Sequence, residues 1–131
     1  MIAVGATDHA GVPTGFSTRG DHVALCAPGA RILTTSLSGY QFATGTSFAA
    51  PFVTATVGLM VSRALRRARA LDTATVRSLL VRSVRPFGDG AAHPGCGAGV
   101  LDAAAALQAL DAMVVRTPIQ PLGPQGGHYA H

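Results

Sequence analysis

The chain has 131 residues, of which 48% are hydrophobic and 12% are charged, and its formal net charge is +4. This composition excludes an intrinsically disordered chain, and the length is sufficient to bury a core without a metal or disulfide scaffold. The sequence contains no Lys, Glu, Asn or Trp, which excludes an amine nucleophile, a Glu general acid and an Asn hydrogen-bond donor.

The first third of the chain has the pattern of short strands separated by turns. Residues 2–7 (IAVGAT) are apolar on both faces, which is typical of a strand inside a parallel sheet. Residues 8–22 are rich in Gly and Pro and are predicted to form a loop. Further short strands are predicted at 23–26 and 31–35, and residues 40–44 are predicted to form a strand or an extended run.

The longest predicted helix covers about residues 47–67. Thr46 and Ser47 are N-cap residue types, and Pro51 is expected in the first turn. Almost every face of this helix is apolar, so we expect it to be enclosed on all sides. Its densely apolar part, 48–61, has 14 residues, fewer than the about 20 that span a bilayer. The sequence therefore predicts a buried core helix and no membrane partner.

Two shorter helices are predicted at about 72–84 and at 103–110. Strands followed by helices indicate an α/β fold, with a parallel sheet favoured over an antiparallel one. We expect residues 1–112 to form the folded unit. The segment 113–131 is rich in Pro and Gly, and we expect a disordered tail or a linker there.

The segment 45–51, GTSFAAP, places Ser47 at the start of the long helix. The free N–H groups of a first helical turn point outward and can hold an oxyanion, and the positive end of the helix dipole stabilises negative charge there. A serine at this place is therefore well positioned as a nucleophile. The alternative is that Ser47 only caps the helix, as serines commonly do.

The segment 45–51 resembles the nucleophile motif of the subtilisin-like serine proteases, which is Gly-Thr-Ser followed by a bulky residue, Ala, a small residue and Pro. Four further segments resemble motifs of that family, in the same order and with similar spacing: IAVGATD at 2–8, FS..G at 16–20, APG at 27–29 and GAGVLD at 97–102. The sequence is identified as a member of this family (peptidase S8) on these five motifs.

The resemblance implies the three-layer subtilisin-like α/β fold with a parallel sheet, of which residues 1–112 would hold only the C-terminal strands and helices. It implies that Ser47 is the nucleophile of a serine endopeptidase that cleaves peptide bonds through an acyl-enzyme. Gly45, Thr46, Ala50 and Pro51 would form and support the motif. The resemblance further implies a polypeptide substrate, no cofactor and a secreted or extracytoplasmic location.

The family carries its catalytic Asp, His and oxyanion Asn upstream of the serine, but only 46 residues precede Ser47, and they contain no DTG-like or HGT-like motif and no Asn. The resemblance therefore implies a truncated catalytic domain that is inactive alone and lacks an N-terminal portion. Asp8, His9 and His22 could in principle substitute, since the triad residues occur in different chain orders. We interpret them as solvated loop residues, and His93 likewise.

A second hypothesis is a non-catalytic piece that complements a separate N-terminal portion or binds an anionic partner through Arg63–Arg69. Four of the ten arginines lie in that stretch. No aromatic residue is interleaved with them, so we predict no nucleic-acid partner. The residues after Met1 do not have the pattern of a signal peptide.

The two cysteines permit one disulfide or two free thiols. Cys96 lies in a GCGAG context that, in some secreted relatives, pairs with a cysteine just upstream, but residues 86–95 contain none. Cys96 is then free or paired with Cys26, and we favour the free thiol. No metal site is predicted, because zinc-ligand spacing is absent and Ala24 stands where some family members have a calcium-binding Asp.

Overall fold

The computed structural model describes residues 1–116, and the side chains of residues 1–113. Strands and helices follow the predicted order. Their bounds are β1 Ala3–Thr7, β2 Val23–Pro28, β3 Ile32–Ser36, β4 Gly39–Ala43, α1 Thr46–Arg66, α2 Thr73–Arg82 and α3 Ala103–Arg116. Asp72 caps α2 by accepting a hydrogen bond from the Thr75 N–H, and Asp102 caps α3 by accepting one from the Ala105 N–H.

The predicted parallel pairing is confirmed for β1 and β2. Ala3 pairs with Val23, and after a one-residue register shift the pairing continues from Val4 opposite Leu25 to Thr7 opposite Pro28. On the other side of β2, Cys26 forms a parallel bridge with Val100. Both faces of this ladder are covered, since β1 ends in three buried residues and β2 begins with five.

The strands β3 and β4 form a separate antiparallel hairpin, an exception to the predicted parallel arrangement. Ser36 pairs with Gly39, so only two residues connect the strands. A connection this short can join only antiparallel neighbours, because a parallel crossover needs about a dozen residues or more. The hairpin side chains are half-buried or exposed.

The core lies between the β1–β2 ladder and the three helices. It is built mainly from aliphatic side chains with no or almost no exposed surface, among them Leu25, Met60, Leu79, Leu80 and Leu110. On α1 the buried residues are Ala49, Val53, Thr56, Met60 and Ala64, which follow a spacing of three and four residues.

Within the described residues, helix α1 is enclosed on one side only. Phe52 is 41% exposed, and Leu59 and Leu65 are each 55% exposed. The described residues pack on one side of α1, where β1, β2 and α3 lie. The large apolar side chains on the rest of the helix surface are not covered by the described residues.

By length and composition alone, the 21-residue helix α1 is long enough and apolar enough to cross a membrane. The sequence-based argument against a span counted only the 14 residues of the densely apolar part, whereas the helix as a whole has 21. A core helix passes the same test, so the finding is weak evidence for a span. The buried stripe on α1 instead packs against the β1–β2 ladder and α3.

The start of α1 also differs from the prediction. Gly45 is the N-cap, so Thr46 and Ser47 are the first two residues of the helix rather than its caps. Pro51 consequently lies in the second turn and not in the first. A proline there cannot donate a hydrogen bond to the carbonyl four residues earlier, which is that of Ser47.

The last helix is longer than predicted, because α3 continues to Arg116 instead of ending near residue 110. Residues 113–116 are thus helical and do not belong to the predicted tail, 113–131. The sequence has no proline between Pro94 and Pro118, and helices usually end at or before the residue preceding a proline. The rest of the predicted tail lies outside the described residues.

Candidate active site

Ser47, the predicted nucleophile, is the second residue of α1 and is exposed. Within the described part of the chain, no group forms a hydrogen bond with its hydroxyl. The first N–H groups of a helix have no intrahelical acceptor, and the helix dipole places partial positive charge at this end. The hydroxyl therefore lies at the electropositive tip of a 21-residue helix, open to an approaching carbonyl group.

The tip of α1 is held to the end of β1 by a chain of backbone hydrogen bonds through Gly29. The Gly29 N–H donates to the Thr7 carbonyl at 2.9 Å, and the Gly45 N–H donates to the Gly29 carbonyl at 2.7 Å. A Cβ at position 29 would lie 2.7 Å from the Ala6 Cβ and 2.8 Å from the Gly45 carbonyl oxygen. Only glycine fits this contact, which positions the helix tip at the C-terminal end of β1.

Gly45 turns the chain from β4 into α1. Its φ of 154° lies in a region that L side chains rarely adopt, and its carbonyl accepts a hydrogen bond from the Phe48 N–H at 3.1 Å. A Cβ here would lie 3.5 Å from the Ser47 Oγ. Glycine therefore both permits the turn and leaves the space beside the hydroxyl open.

The other predicted motif residues lie around Ser47 on the same helix. Thr46 is half-buried, and Ala50 and Pro51 are exposed, whereas the neighbouring Ala49 is fully buried beneath the tip. The sequence motif thus brings its members together through helix geometry alone. The role of Gly29 was missed, although its position in the APG segment was a usable signal.

The upstream groups considered as substitutes for the missing acid and base, Asp8, His9 and His22, do not engage Ser47. Asp8 accepts hydrogen bonds from the N–H groups of Ala10 and Val12 and so closes its own loop. His9 and His22 are exposed. In the residues the structure describes, none of the histidines donates to or accepts from the Ser47 hydroxyl.

His93 is engaged elsewhere. Its Nε2 lies 2.8 Å from a carboxylate oxygen of Asp89, and its ring packs edge-on against Phe87 at 5.0 Å between centroids. The backbone N–H of Ala91, and secondarily His93, hold the pKa of Asp89 below its usual range. Phe87, Ala91 and His93 border an open surface cavity of about 600 Å³ whose lining contains no residue of α1.

Two arginines of the basic stretch bind one carboxylate. Arg63 donates a hydrogen bond to Asp111 Oδ2 at 3.0 Å, and Arg67 forms an ion pair with Asp111 Oδ1 at 2.9 Å. They join the C-terminal end of α1 to α3 and place positive charge where the helix dipole is negative. At least two arginines of the Arg63–Arg69 stretch are therefore occupied within the fold, which does not favour an anionic partner there.

Among residues 1–116 there is no group of three or more His, Cys, Asp or Glu side chains arranged to hold a metal ion. The two cysteines are both buried and are free thiols in this structure.

Comparison with known proteins identifies the family. The model of the subtilase family, Peptidase_S8, matches residues 1–99. The extracellular protease of Xanthomonas campestris is 39% identical over 117 residues, and the extracellular basic protease of Dichelobacter nodosus is 36% identical over 118 residues. These matches cover 83% and 84% of this chain.

The fold has solved relatives as well. The patellamide maturation protease PatA superposes with a TM-score of 0.74 at 36% identity over 85% of this chain. The chain spans 20% and 19% of the two curated relatives and 43% of the solved one. The predicted subtilisin-like α/β fold, present in part, is confirmed by this likeness. Since the family model matches most of the sequence and the relatives share both sequence and fold, this chain belongs to the subtilase family.

Proposed function

We propose that this chain is the nucleophile-bearing portion of a serine endopeptidase. The observation that carries the proposal is the exposed Ser47 hydroxyl at the electropositive tip of α1. Its oxygen would attack the carbonyl carbon of a polypeptide substrate, and its proton would pass to a base. The amine half of the substrate would leave with that proton, and water would then hydrolyse the acyl-enzyme ester.

The backbone groups around Ser47 support the stabilising part of this reaction. The tetrahedral intermediate carries its negative charge on the former carbonyl oxygen. The Ser47 N–H, at the second position of α1, is one of the N–H groups without an intrahelical acceptor, and it would donate to that oxygen. The helix dipole would stabilise the same charge.

The proton acceptor and the remaining donors would come from outside this sequence. The chain contains no Asn, and none of its described histidines reaches the Ser47 hydroxyl by a hydrogen bond. We propose that an N-terminal subtilase portion supplies the base, its orienting acid and a side-chain oxyanion donor. Without that portion, we expect the chain to be inactive, because an unassisted serine hydroxyl is a weak nucleophile at neutral pH.

The outer side of α1 supports the same proposal. Its exposed large apolar residues lie on both flanks of the buried stripe, and we call them together the outer face: Phe52, Leu59, Val61 and Leu65. An apolar helix face normally packs against another element, and the match covers less than half of the solved relative. The N-terminal portion of a subtilase domain would cover the outer face.

We also propose that the complete enzyme acts outside the cytoplasm. The two curated relatives are named extracellular proteases. Their 39% and 36% identity to this chain supports the same location for it.

A fluorophosphonate probe tests the nucleophile. The purified chain would be treated with the probe alone and after co-expression with the N-terminal portion of the Xanthomonas campestris protease that precedes the matched region. We expect no labelling of the chain alone and labelling at Ser47 in the complex, identified by peptide mass spectrometry. The matched control is Ser47→Ala, which should not be labelled. A second variant, Ser36→Ala, should be labelled in the complex to the same extent as the original chain.

Labelling that persists in Ser47→Ala would exclude Ser47 as the nucleophile. Stoichiometric labelling of the chain alone would exclude the need for a second portion. The DNA upstream of the Met1 codon gives an independent test of the same point: in-frame motifs of the DTG and HGT type would identify the missing portion as part of the same gene.

A further inference from the structure

The two buried cysteines are the feature that the proposed function leaves unused. We infer that Cys26 and Cys96 form an intrachain disulfide when the chain folds in an oxidising environment. The inference rests on the geometry around the two residues and does not depend on the assignment of Ser47.

The two side chains lie in one small apolar cluster, although they are 70 residues apart in sequence. Each is 0% exposed, and Phe87 and Val100 complete the cluster. The Cys26 thiol donates a hydrogen bond to the Cys96 carbonyl oxygen at 3.1 Å. Standard bond lengths place that oxygen about 2.4 Å from its own Cα, so the Cys26 sulfur lies within about 5.5 Å of the Cys96 Cα.

The backbone on both sides of the pair is held by hydrogen bonds. The Cys26 N–H donates to the Gly99 carbonyl and the Leu101 N–H donates to the Cys26 carbonyl, both at 2.8 Å. The Ala98 N–H donates to the Ala24 carbonyl at 3.0 Å. The segment that carries Cys96 is thus fixed against β2 before any covalent bond forms, so rotation about side-chain bonds is the main movement the disulfide requires.

Arg19 positions the second sulfur. Its Nη1 donates a hydrogen bond to the Cys96 Sγ at 3.1 Å, which ties the loop before β2 to the same cluster. Each sulfur therefore has a defined hydrogen-bond partner in the protein, and neither is exposed to solvent. Because neither thiol is accessible in the folded chain, the bond would form as the cluster assembles, before the apolar side chains close over it.

The reaction needs a two-electron oxidant, for which we name a disulfide, either oxidised glutathione or a protein disulfide. One cysteine thiolate attacks a sulfur of that disulfide and releases a thiolate, leaving a mixed disulfide. The second cysteine thiolate attacks the cysteine sulfur of the mixed disulfide and releases the other thiolate. The two cysteines are oxidised, the external disulfide is reduced to two thiols, and these thiols take up the two protons.

The disulfide would enclose a long stretch of chain containing β3, β4, α1 and α2. Closing a loop of this length restricts the unfolded chain strongly. It would join β2 covalently to the segment that leads into α3. The expected location of the protein outside the cytoplasm is the environment in which such bonds persist.

Equilibration of the full 131-residue chain in a glutathione redox buffer tests the inference. The reaction would be quenched with acid at a low protein concentration and analysed by intact mass and by peptide mapping without reduction, in native buffer and in concentrated urea. We expect an internal Cys26–Cys96 bond whose effective concentration is at least about tenfold higher in native buffer than in urea. The inference would be overturned by equal effective concentrations in native buffer and in urea. Two glutathione adducts per chain, or disulfide-linked dimers as the main product, would also overturn it.

Single variants provide the controls. In concentrated urea, where the remaining thiol is accessible, Cys26→Ser and Cys96→Ser should each yield one glutathione adduct, and neither should form an internal bond in either buffer, which identifies the partners. The Ser47→Ala variant should form the bond as readily as the original chain. Normal disulfide formation in Ser47→Ala, combined with failure of the fluorophosphonate test, would reject the proposed function and support the disulfide. Labelling at Ser47 without formation of the internal bond would reject the disulfide and support the proposed function.

Discussion

The two sides of helix α1 have similar residue composition but different surroundings. The inner side, with Val53 and Met60 at its centre, is buried against β1, β2 and α3. The outer face, with Leu59 and Leu65, is about half exposed. Met60 and Leu59 are neighbours in sequence and are both large and apolar, yet one is 0% exposed and the other 55%.

The apolar composition of a helix therefore determines which of its side chains could be buried. Which of them are buried depends on the strands and helices that pack against it. The helix tip that carries Ser47 needs only local geometry and is formed in this chain. The outer face needs a partner that the described residues do not supply. The chain thus contains the complete motif around Ser47, but its described residues cover helix α1 on one side only.

The largest expected effect separates the two sides directly. Met60→Ala should lower the free energy of unfolding by about 3 kcal/mol, because it removes a fully buried side chain and leaves a cavity. Leu59→Ala should change it by less than about 0.5 kcal/mol, since this side chain is largely solvated already. Urea titrations followed by circular dichroism give both values. Equal losses for the two variants would mean that the outer face is covered, for instance by self-association.

A second comparison concerns two buried threonines near the inner side. Thr7 on β1 is 0% exposed and its Oγ1 has no hydrogen-bond partner among the described residues, whereas the Thr56 Oγ1 donates to the Phe52 carbonyl at 2.8 Å. Thr7→Val should therefore raise the unfolding free energy by about 1 kcal/mol, because an unpaired buried hydroxyl is replaced by a methyl group of the same shape. Thr56→Val serves as the control and should give no gain. A loss of stability in Thr7→Val would indicate a bound water or other partner at that hydroxyl.

The third test addresses the end of α1 opposite Ser47. Asp111→Asn should cost about 0.5–1 kcal/mol in total, because the two ion pairs to Arg63 and Arg67 are partly exposed and screened. The cost should shrink as salt is added. Arg66→Gln, at an exposed position on the same turn, should have no effect at either salt concentration. A salt-independent cost in Asp111→Asn would point to packing rather than charge.

The last test concerns pH. Burial, and secondarily Cys96, raise the pKa of the Cys26 thiol from 9.0 to about 11. The folded chain thus holds this proton more tightly than the unfolded chain, so the stabilisation is complete below about pH 9 and is lost as the pH rises towards 11. Unfolding free energies of the reduced protein across this range should fall, and those of Cys26→Ala should fall less. Parallel profiles for the two proteins would contradict the assignment to Cys26.

Much of the fold follows from local patterns in the sequence. The positions of the strands and helices could be predicted because turn residues and apolar periodicity act over a few neighbouring residues. The same is true of the motif around Ser47, whose members are consecutive and are brought together by one helix tip. The proton acceptor for Ser47 could not be predicted, because no local pattern in these residues marks one.

The sequence by itself determined the family, the α/β class and the identity of the candidate nucleophile, since each is carried by short segments. Only the tertiary structure decided which side of α1 is buried, that β3 and β4 pair with each other, and that Asp111 joins α1 to α3. It also brought Cys26 beside Cys96 across 70 residues. The physical reason is that these contacts depend on packing between distant segments, and the energy of such packing is defined only when both surfaces are present in space.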